Sequence, residues 1–370
     1  MRKLKAVLCC VLPLLLLGAC RDGVELENRG FVISIGVDKT EDDLFAVSLS
    51  LPNAAAIAGK DGGEGGQILK KAESGALPGA MQLADAYTGQ TMYYGHTKIA
   101  VFGRECLRDA GMMRQAFDAL ERNGELSKKL LILAADGTAA DILNAESAEE
   151  PLIGTFVADF YKNNANKLRV TVQTDLEAAL GALRATGGAV IPHIGVEDGQ
   201  VKLSGAAVLV DYALAGWLDE TQTRGWLWFH GAGNASQVVV EYEGLHVPFD
   251  VQTCASQLAF EARDGRLVCR VSIDVKGGIE AFTVEDGTLG SETQAALECL
   301  VGGTIAEEVC AVFELLRDEY QTDVFDLRES LHKWNAPLYR AYSADWPGAF
   351  REMEIEAQVD VTALRTGVVK

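Results

Sequence analysis

The apolar segment that ends at Cys20 constrains this chain most, because it decides where the folded part begins and how it is held. Met1–Lys5 is basic, Ala6–Leu17 is an apolar run, and Leu17–Cys20 places two small residues directly before the cysteine. A basic start, a short apolar run and small residues before a cleavage point are typical of a secretory signal peptide. The run is shorter than the ~20 apolar residues needed to span a bilayer. With a cysteine at this position, the pattern predicts a lipobox.

A lipobox implies that residues 1–19 are removed, that the Cys20 thiol is diacylated, and that the Cys20 amine becomes the mature N-terminus. Two acyl chains, at about 0.8 kcal/mol per buried methylene, give a stable anchor where one chain gives a marginal one. Two other interpretations stay open on the sequence alone. One is an ordinary signal peptide in which the cysteine has no role, and the other is a buried helix.

The acidic charge of the chain limits what it can bind. Its 370 residues carry a formal net charge of −20, and removal of the signal with its three basic residues makes this −23. No block of lysine and arginine is available to neutralise phosphates, which argues against nucleic acid. The same charge disfavours a body that lies flat on anionic lipid. We therefore expect the anchor to bind the membrane and the acidic body to project away from it.

Cysteine usage does not indicate a disulfide framework. Of eight cysteines, two lie in the signal and Cys20 is predicted to be acylated. The odd number and irregular spacing of the others predict mostly buried free thiols. A hairpin turn at Asp264-Gly265 would pair Phe260 with Cys269 and leave Cys254 several rungs away. The five remaining cysteines are Cys106, Cys254, Cys269, Cys299 and Cys310.

The first half of the chain mixes strand and helix patterns. Phe31–Val37 and Leu44–Leu51 flank a turn and predict a hairpin. Leu69–Ala86 is predicted to be a helix and Thr91–Phe102 a central strand. Leu107–Glu121 has the apolar spacing of an amphipathic helix.

A tight turn at Glu197–Gln200 opens the second half. Leu203–Asp211 and Ala213–Leu218 predict a hairpin, and a capping box at Asp219 predicts a helix that ends near Phe229. Three alternating strands are predicted next, at Gln237–Tyr242, Val251–Glu261 and Arg266–Val275.

The longest predicted helix is Ser291–Tyr320, with Ser291 as its cap, and the chain closes in a half-buried strand at Met353–Val361. Five charged residues of the helix are assigned to a solvent-exposed face: Glu307, Glu308, Glu314, Arg317 and Asp318.

These elements predict an α+β class, with mainly antiparallel sheets packed with helices in more than one domain and no recognised enzyme fold. The predicted organisation is a signal peptide at 1–19 and a lipidated tether at 20–28. An N-terminal α+β region follows at 29–197, which can comprise two subdomains, and then a C-terminal α+β domain at 198–370.

No pattern indicates catalysis, a metal or a cofactor. The five histidines are isolated from one another, and His96 between a tyrosine pair and a lysine is favoured as structural over catalytic. Ser330 and Lys333 have the Ser-x-x-Lys spacing, but Lys276–Gly278 precedes them, the reverse of the order in penicillin-interacting enzymes. Gly59–Gly66 lacks the Gly-Lys-Ser/Thr ending of a phosphate loop and predicts an exposed loop. We therefore predict no catalytic residue and no enzyme activity.

Aromatic residues gather at the start of the second half. They suit either core packing between a helix and its sheet or a partner-binding surface, because aromatic side chains are enriched in both. These residues are Trp217, Trp226, Trp228 and Phe229.

Seven segments form an ordered pattern along nearly the whole chain. They are the lipobox with Cys20, Val24–Lys39, Tyr94–Ile99, Asp136–Leu143, Gly216–Trp228, Thr322–Asp326 and a closing strand through Arg365–Gly367. In this order they resemble the Ger(x)C spore-germination lipoproteins, the C subunits of germinant receptors.

The resemblance implies a non-enzymatic lipoprotein on the outer face of the spore inner membrane, held in the bilayer by diacylated Cys20. It also implies two integral-membrane partners, the A and B subunits, which sense small nutrients. Only Cys20 carries over as a site residue, and no ligand-binding residue does. Two other functions stay open. A solute-binding lipoprotein of a nutrient transporter would form two α/β lobes about a cleft, and an anchored envelope hydrolase would need a catalytic cluster.

Overall fold

The structure is a computed structural model that describes residues 28–53, 66–145, 150–164, 170–283 and 290–369. The predicted signal peptide, Cys20, the tether up to residue 27 and most of the Gly59–Gly66 loop lie outside the described residues. The described chain contains an eight-stranded sheet, a four-stranded sheet and a two-stranded sheet.

The strands of the described chain are β1 (Arg29–Phe31), β2 (Ser34–Lys39), β3 (Phe45–Pro52), β4 (Gln67–Ser74), β5 (Thr91–Tyr93), β6 (Ile99–Phe102), β7 (Leu131–Ala135), β8 (Gly188–Glu197), β9 (Gln200–Val210), β10 (Ala213–Leu218), β11 (Gln237–Tyr242), β12 (Leu245–Arg263), β13 (Arg266–Thr283) and β14 (Glu354–Val369). The α-helices are α1 (Leu77–Ala84), α2 (Arg104–Leu107), α3 (Ala110–Arg122), α4 (Ala139–Asn144), α5 (Ile153–Asn164), α6 (Leu176–Thr186), α7 (Glu220–Phe229), α8 (Ser291–Asp318), α9 (Leu327–Trp334), α10 (Ala336–Tyr342) and α11 (Trp346–Arg351).

The eight-stranded sheet has the order β10-β9-β8-β7-β6-β2-β3-β4. Its centre, β2, β6, β7 and β8, is parallel, and the hairpin arms at both ends are antiparallel. Every residue of β6 and β7 is buried, as expected for parallel strands covered on both faces. Helices α1, α2, α3 and α6 pack on one face, and α4 and α5 pack on the other.

The four-stranded sheet has the order β11-β12-β13-β14, and its last pair is parallel. Helix α8 packs on this sheet through fully buried aliphatic residues such as Ile305, Val309 and Val312. The same core includes Val190 of β8 and Val208 of β9, so the two large sheets share apolar contacts. The two halves of the described chain therefore pack against each other.

The α+β class is confirmed, and the sheets are mixed. Among the strand pairs of the described residues, six are antiparallel and five are parallel. The turn at Glu197–Gln200 connects β8 to β9, which pair within the eight-stranded sheet. The sequence position chosen to divide the two halves therefore lies at a hairpin inside this sheet.

The predicted hairpin register around Asp264-Gly265 is confirmed. Both turn residues have positive φ, 52° and 82°, as a type I′ turn requires. Phe260 pairs with Cys269, and Cys254 pairs with Val275 instead. The capping box at the start of α7 is also present, with Asp219 and Gln222 each accepting the other's backbone N–H.

Three predictions of local structure are wrong. Leu69–Ala86 is not one helix, because its first part is the edge strand β4 paired with β3 and only Leu77–Ala84 is α-helical. Thr91–Phe102 is two strands, separated by a turn in which the Thr97 N–H donates to the Tyr94 carbonyl. Helix α8 has Gly290 and not Ser291 at its N-cap, with no side-chain cap. In the first case strand pairing has overridden local helix propensity.

Candidate functional site

The described body starts with an aromatic cluster next to the predicted tether. β1 pairs in parallel with β5, which brings Phe31 within 5.9 Å of the Tyr93 ring and 5.2 Å of the His96 ring. The Arg29 guanidinium lies 5.1 Å from the centre of the Tyr93 ring, in cation–π contact. His96 is exposed, and its ring also lies 5.6 Å from Tyr93. His96 is therefore part of an aromatic surface cluster at the end of the molecule where the chain enters.

A second site joins two of the segments that carry the family resemblance. The Asp38 carboxylate accepts the backbone N–H of Ala139 at 2.7 Å and of Ala140 at 2.9 Å, at the first turn of α4. Free N–H groups and the helix dipole both favour a carboxylate at this position. Gly103 is required nearby, since a Cβ there would collide with the Asp38 carboxylate. Burial raises the pKa of Asp38, and the two backbone hydrogen bonds oppose that rise.

We expect Asp38→Ala to destabilise the chain, because it leaves the N–H groups of buried Ala139 and half-buried Ala140 without their acceptor. The expected loss is about 1–3 kcal/mol in the free energy of unfolding, measured by denaturant titration. Asp141→Ala is the matched control, because Asp141 lies in the first turn of the same helix with an exposed side chain. Equal effects of the two substitutions would contradict the capping role of Asp38.

A third site joins the Gly216–Trp228 segment to the Thr322–Asp326 segment. The Trp226 indole N–H donates to the Val324 carbonyl at 3.4 Å, and the Phe229 and Phe325 rings lie 4.4 Å apart. Asp323 is buried and accepts three backbone N–H groups, and burial raises its pKa to about 6. These contacts lock the loop before α9 against α7.

The structure separates the four clustered aromatic residues of the sequence. Trp228 and Phe229 are fully buried in the core under the four-stranded sheet, and Trp226 packs at its edge. Trp217 instead contacts the core of the eight-stranded sheet, with its ring 4.9 Å from His193. Core packing therefore accounts for Trp228 and Phe229.

Glu308 was assigned to the exposed face of its helix, and this is wrong. Its carboxylate is buried and accepts hydrogen bonds from the Arg224 Nε and the Trp228 Nε1, each at 2.9 Å, and from the Arg224 terminal nitrogen. Gly225 allows this approach, because a Cβ there would collide with the Glu308 carbonyl. The helical spacing could have predicted this burial. Glu308 lies three residues after buried Ile305 and four before buried Val312, so it is on the same face of the helix.

His230 is a half-buried base next to this third site. Its Nε2 is buried without a hydrogen-bond partner among the described residues, and its ring lies 4.0 Å from the Trp226 ring. Burial lowers the pKa of His230 to about 4. A base with a depressed folded-state pKa stabilises the fold above its unfolded pKa near 6.5 and loses that contribution as the pH falls toward 4.

His230→Gln should therefore remove a pH-dependent loss of stability. Between pH 7.5 and 4.5 the wild type should lose about 2–3 kcal/mol more than the variant. Asp323 acts in the opposite direction, because a raised carboxyl pKa adds stability as the pH falls through about 6, so the two proteins must be compared directly. Exposed His246 gives the control substitution His246→Gln. A pH profile of unfolding that is unchanged in His230→Gln would exclude His230 as the source.

An apolar groove of about 540 Å³ lies between α1 and α3. Leu77, Met81 and Ala119 contribute apolar surface, while Tyr94 and Asp85 line it as polar groups. Burial, and secondarily Glu125, raises the pKa of Asp85. No sequence motif pointed to this groove. Its volume lies within the range of small-ligand pockets.

The other residues considered for chemistry do not form a site in the part of the chain that the structure describes. Lys333 forms an ion pair with Glu329 on the exposed side of α9. The lysine of the Ser-x-x-Lys spacing is therefore paired with a carboxylate and not with Ser330. Within the described ranges no group of three His, Cys, Asp or Glu side chains could hold a metal ion, and no helix is long and apolar enough to cross a membrane. The five cysteines are free thiols, of which Cys106, Cys254 and Cys269 are buried.

Two family models match consecutive parts of the chain. The N-terminal domain of spore germination proteins matches residues 22–196, and the spore germination B3/GerAC-like C-terminal domain matches residues 204–367. The chain belongs to the Ger(x)C family of spore germination proteins. The family resemblance is thereby confirmed, and six of the seven segments lie inside the two matched ranges. The lipobox with Cys20 lies before the first range and stays a prediction.

Curated relatives cover the whole length of the Ger(x)C chain. Spore germination protein YndF of Bacillus subtilis (strain 168) is 24% identical, with 100% of this chain and 98% of the relative aligned. Spore germination protein B3 of the same organism is 20% identical, with 96% of both chains aligned. The crystal structure of the GerBC protein is similar at a TM-score of 0.62 and 16% identity, covering 89% of this chain and 96% of that chain. At that identity the structural match supports the fold.

Proposed function

We propose that this chain is the lipid-anchored C subunit of a spore nutrient-germinant receptor. The observation that supports it most is the pair of family matches, at residues 22–196 and 204–367, directly behind a lipobox that ends at Cys20. In this proposal diacylated Cys20 holds the body on the outer face of the spore inner membrane. The integral-membrane A and B subunits are its partners.

The subunit acts by protein contact and not by turnover in this proposal. Its most elaborate polar arrangements, at Asp38, Asp323 and Glu308, bind the chain's own backbone and side chains. Such hydrogen-bonded carboxylates, buried at Asp323 and Glu308 and half-buried at Asp38, fix one conformation. A rigid body of this kind suits a scaffold that couples the membrane subunits to each other.

Co-purification from spores tests the proposal. The full-length chain, tagged at its C-terminus, is extracted from spore membranes in mild detergent and its companions are identified by mass spectrometry. We expect one A-type and one B-type integral-membrane subunit in amounts comparable to the tagged chain. An unrelated tagged spore lipoprotein is the control. A chain that elutes alone under conditions where another complete germinant receptor survives would refute the assignment.

A further inference from the structure

One end of the described body differs in character from the rest of this acidic protein. Arg29, Phe31, Tyr93, His96 and Lys98 form a surface that we name the basal patch. Arg29, Phe31, Tyr93 and His96 contact one another through their rings and the guanidinium group. Lys98 is exposed, and its backbone N–H donates to Ile33 directly after β1. The patch thus combines aromatic rings with two cations.

The two cations of the basal patch are not neutralised within the described chain. No carboxylate of the described residues lies within 4 Å of Arg29 or Lys98, by the geometry that defines the other ion pairs. Other basic side chains of the described residues do form ion pairs, as Lys129 does with Asp175 and Glu177. Glu125 accepts the backbone N–H of Tyr94, the residue that follows Tyr93 of the patch. The five residues of the patch therefore carry two positive charges and no negative one, within a chain of net charge −20.

The anchor restricts which end of the body can reach the bilayer. Eight residue steps separate Cys20 from Asn28, where the described body begins. Even a fully extended chain covers at most about 29 Å in eight steps, at ~3.6 Å each. A compact chain of this size has a radius of gyration of about 20 Å, so its far side lies beyond that reach. The basal patch, one to three residues from the entry point through β1, stays close to the lipid surface.

We propose that the basal patch rests on the bilayer and binds anionic lipid headgroups. This inference depends on the proposed anchoring at Cys20. The Arg29 guanidinium and the Lys98 ammonium group would bind lipid phosphates, and the Tyr93, His96 and Phe31 rings would lie at the headgroup level, where amphipathic rings are favoured. The occupant is lipid and not a protein, because five side chains offer far less than the ~800 Å² per partner of a stable protein interface. The acidic remainder would be repelled, which orients the body upright.

Hydrogen exchange of the full acylated chain in lipid nanodiscs tests the orientation. Discs of phosphatidylcholine alone are compared with discs that also contain phosphatidylglycerol. In the anionic discs we expect amides of residues 91–98 to exchange several-fold more slowly, and added salt should reverse the effect. Arg29→Glu with Lys98→Glu should abolish the difference. Lys276→Glu with Arg340→Glu makes the same charge change at exposed, unpaired positions in the other half and should preserve it.

The outcomes separate failure of the patch from failure of the anchor. Intact mass measured beforehand reports whether Cys20 carries acyl chains, so an unacylated chain contradicts the anchoring proposal. Equal exchange of residues 91–98 in both kinds of disc, in a chain shown to be acylated, overturns the lipid contact. Protection that appears only after integral-membrane subunits are added also overturns it, in favour of a protein partner.

Discussion

Cys20→Ala should abolish acylation and leave the chain unprocessed or released from the membrane. In our proposal the Cys20 thiol accepts the diacyl group, and alanine offers no nucleophile in its place. Two acyl chains supply the whole anchor in our proposal, at about 0.8 kcal/mol per buried methylene. Their loss should therefore remove the membrane affinity of the chain. The mass of the product and its partition between membrane and soluble fractions report the result. Receptor assembly should fail with it, and nutrient-triggered germination should fall to the level of a deletion strain.

Cys10→Ala is the matched control for this experiment. Cys10 lies in the same apolar run but inside the segment expected to be removed. The variant should be processed, acylated and retained like the wild type. A Cys20→Ala chain that still carries acyl chains and stays in the membrane after processing would refute the lipobox.

Local signals predicted much of the fold because they act within a few residues. The Asp219 capping box and the Asp264-Gly265 turn each determine their geometry through neighbours, and both were placed correctly. β4 was missed because its residues favour a helix and become a strand only by pairing with β3. The segment Asn53–Gly66 separates the two strands in the sequence. Pairing between segments is a tertiary effect that single-sequence periodicity does not contain.

In the candidate sites, too, the sequence did not predict contacts between distant segments. Asp38 accepts N–H groups that lie 101 and 102 residues away, so no spacing rule links it to α4. Trp226 reaches Val324 across 98 residues. Family resemblance marked all of these segments without indicating that they touch. Only the fold shows these contacts. In it the Asp38 and Asp323 carboxylates accept backbone N–H groups and have a structural role.

The basal patch refines an expectation drawn from net charge. A charge of −20 predicts repulsion from anionic lipid for the body as a whole. Net charge says nothing of distribution, and surface potentials fall off within about 10 Å at moderate salt. In our proposal the two cations beside the tether lie close enough to the bilayer to attract anionic lipid, while distant carboxylates are screened. A rotation that brought an acidic face within about 10 Å of the lipid would be repelled, so one orientation is favoured.

Glu308→Ala should cause a large loss of stability, because it breaks a buried ion pair on one side. The change leaves the Arg224 guanidinium, whose side chain is only 27% exposed, without its carboxylate, and the buried Trp228 indole N–H without its acceptor. Breaking a buried ion pair on one side costs about 3–5 kcal/mol, and the partial exposure of Arg224 places the expectation near the lower limit, about 3 kcal/mol. The Trp228 indole donates to the Glu308 carboxylate, so tryptophan fluorescence during denaturant unfolding reports the transition directly.

Glu307→Ala is the control for this loss, because Glu307 is exposed one residue earlier on the same helix and should change stability by less than about 0.5 kcal/mol. Glu308→Gln separates charge from hydrogen bonding. Its amide oxygen can still accept the Trp228 N–H, so it should recover part of the loss, while the uncompensated Arg224 charge keeps it below the wild type. If Glu308→Ala were as mild as Glu307→Ala, the α7–α8 contact would depend on apolar packing alone, and the buried pair would contribute no net stability.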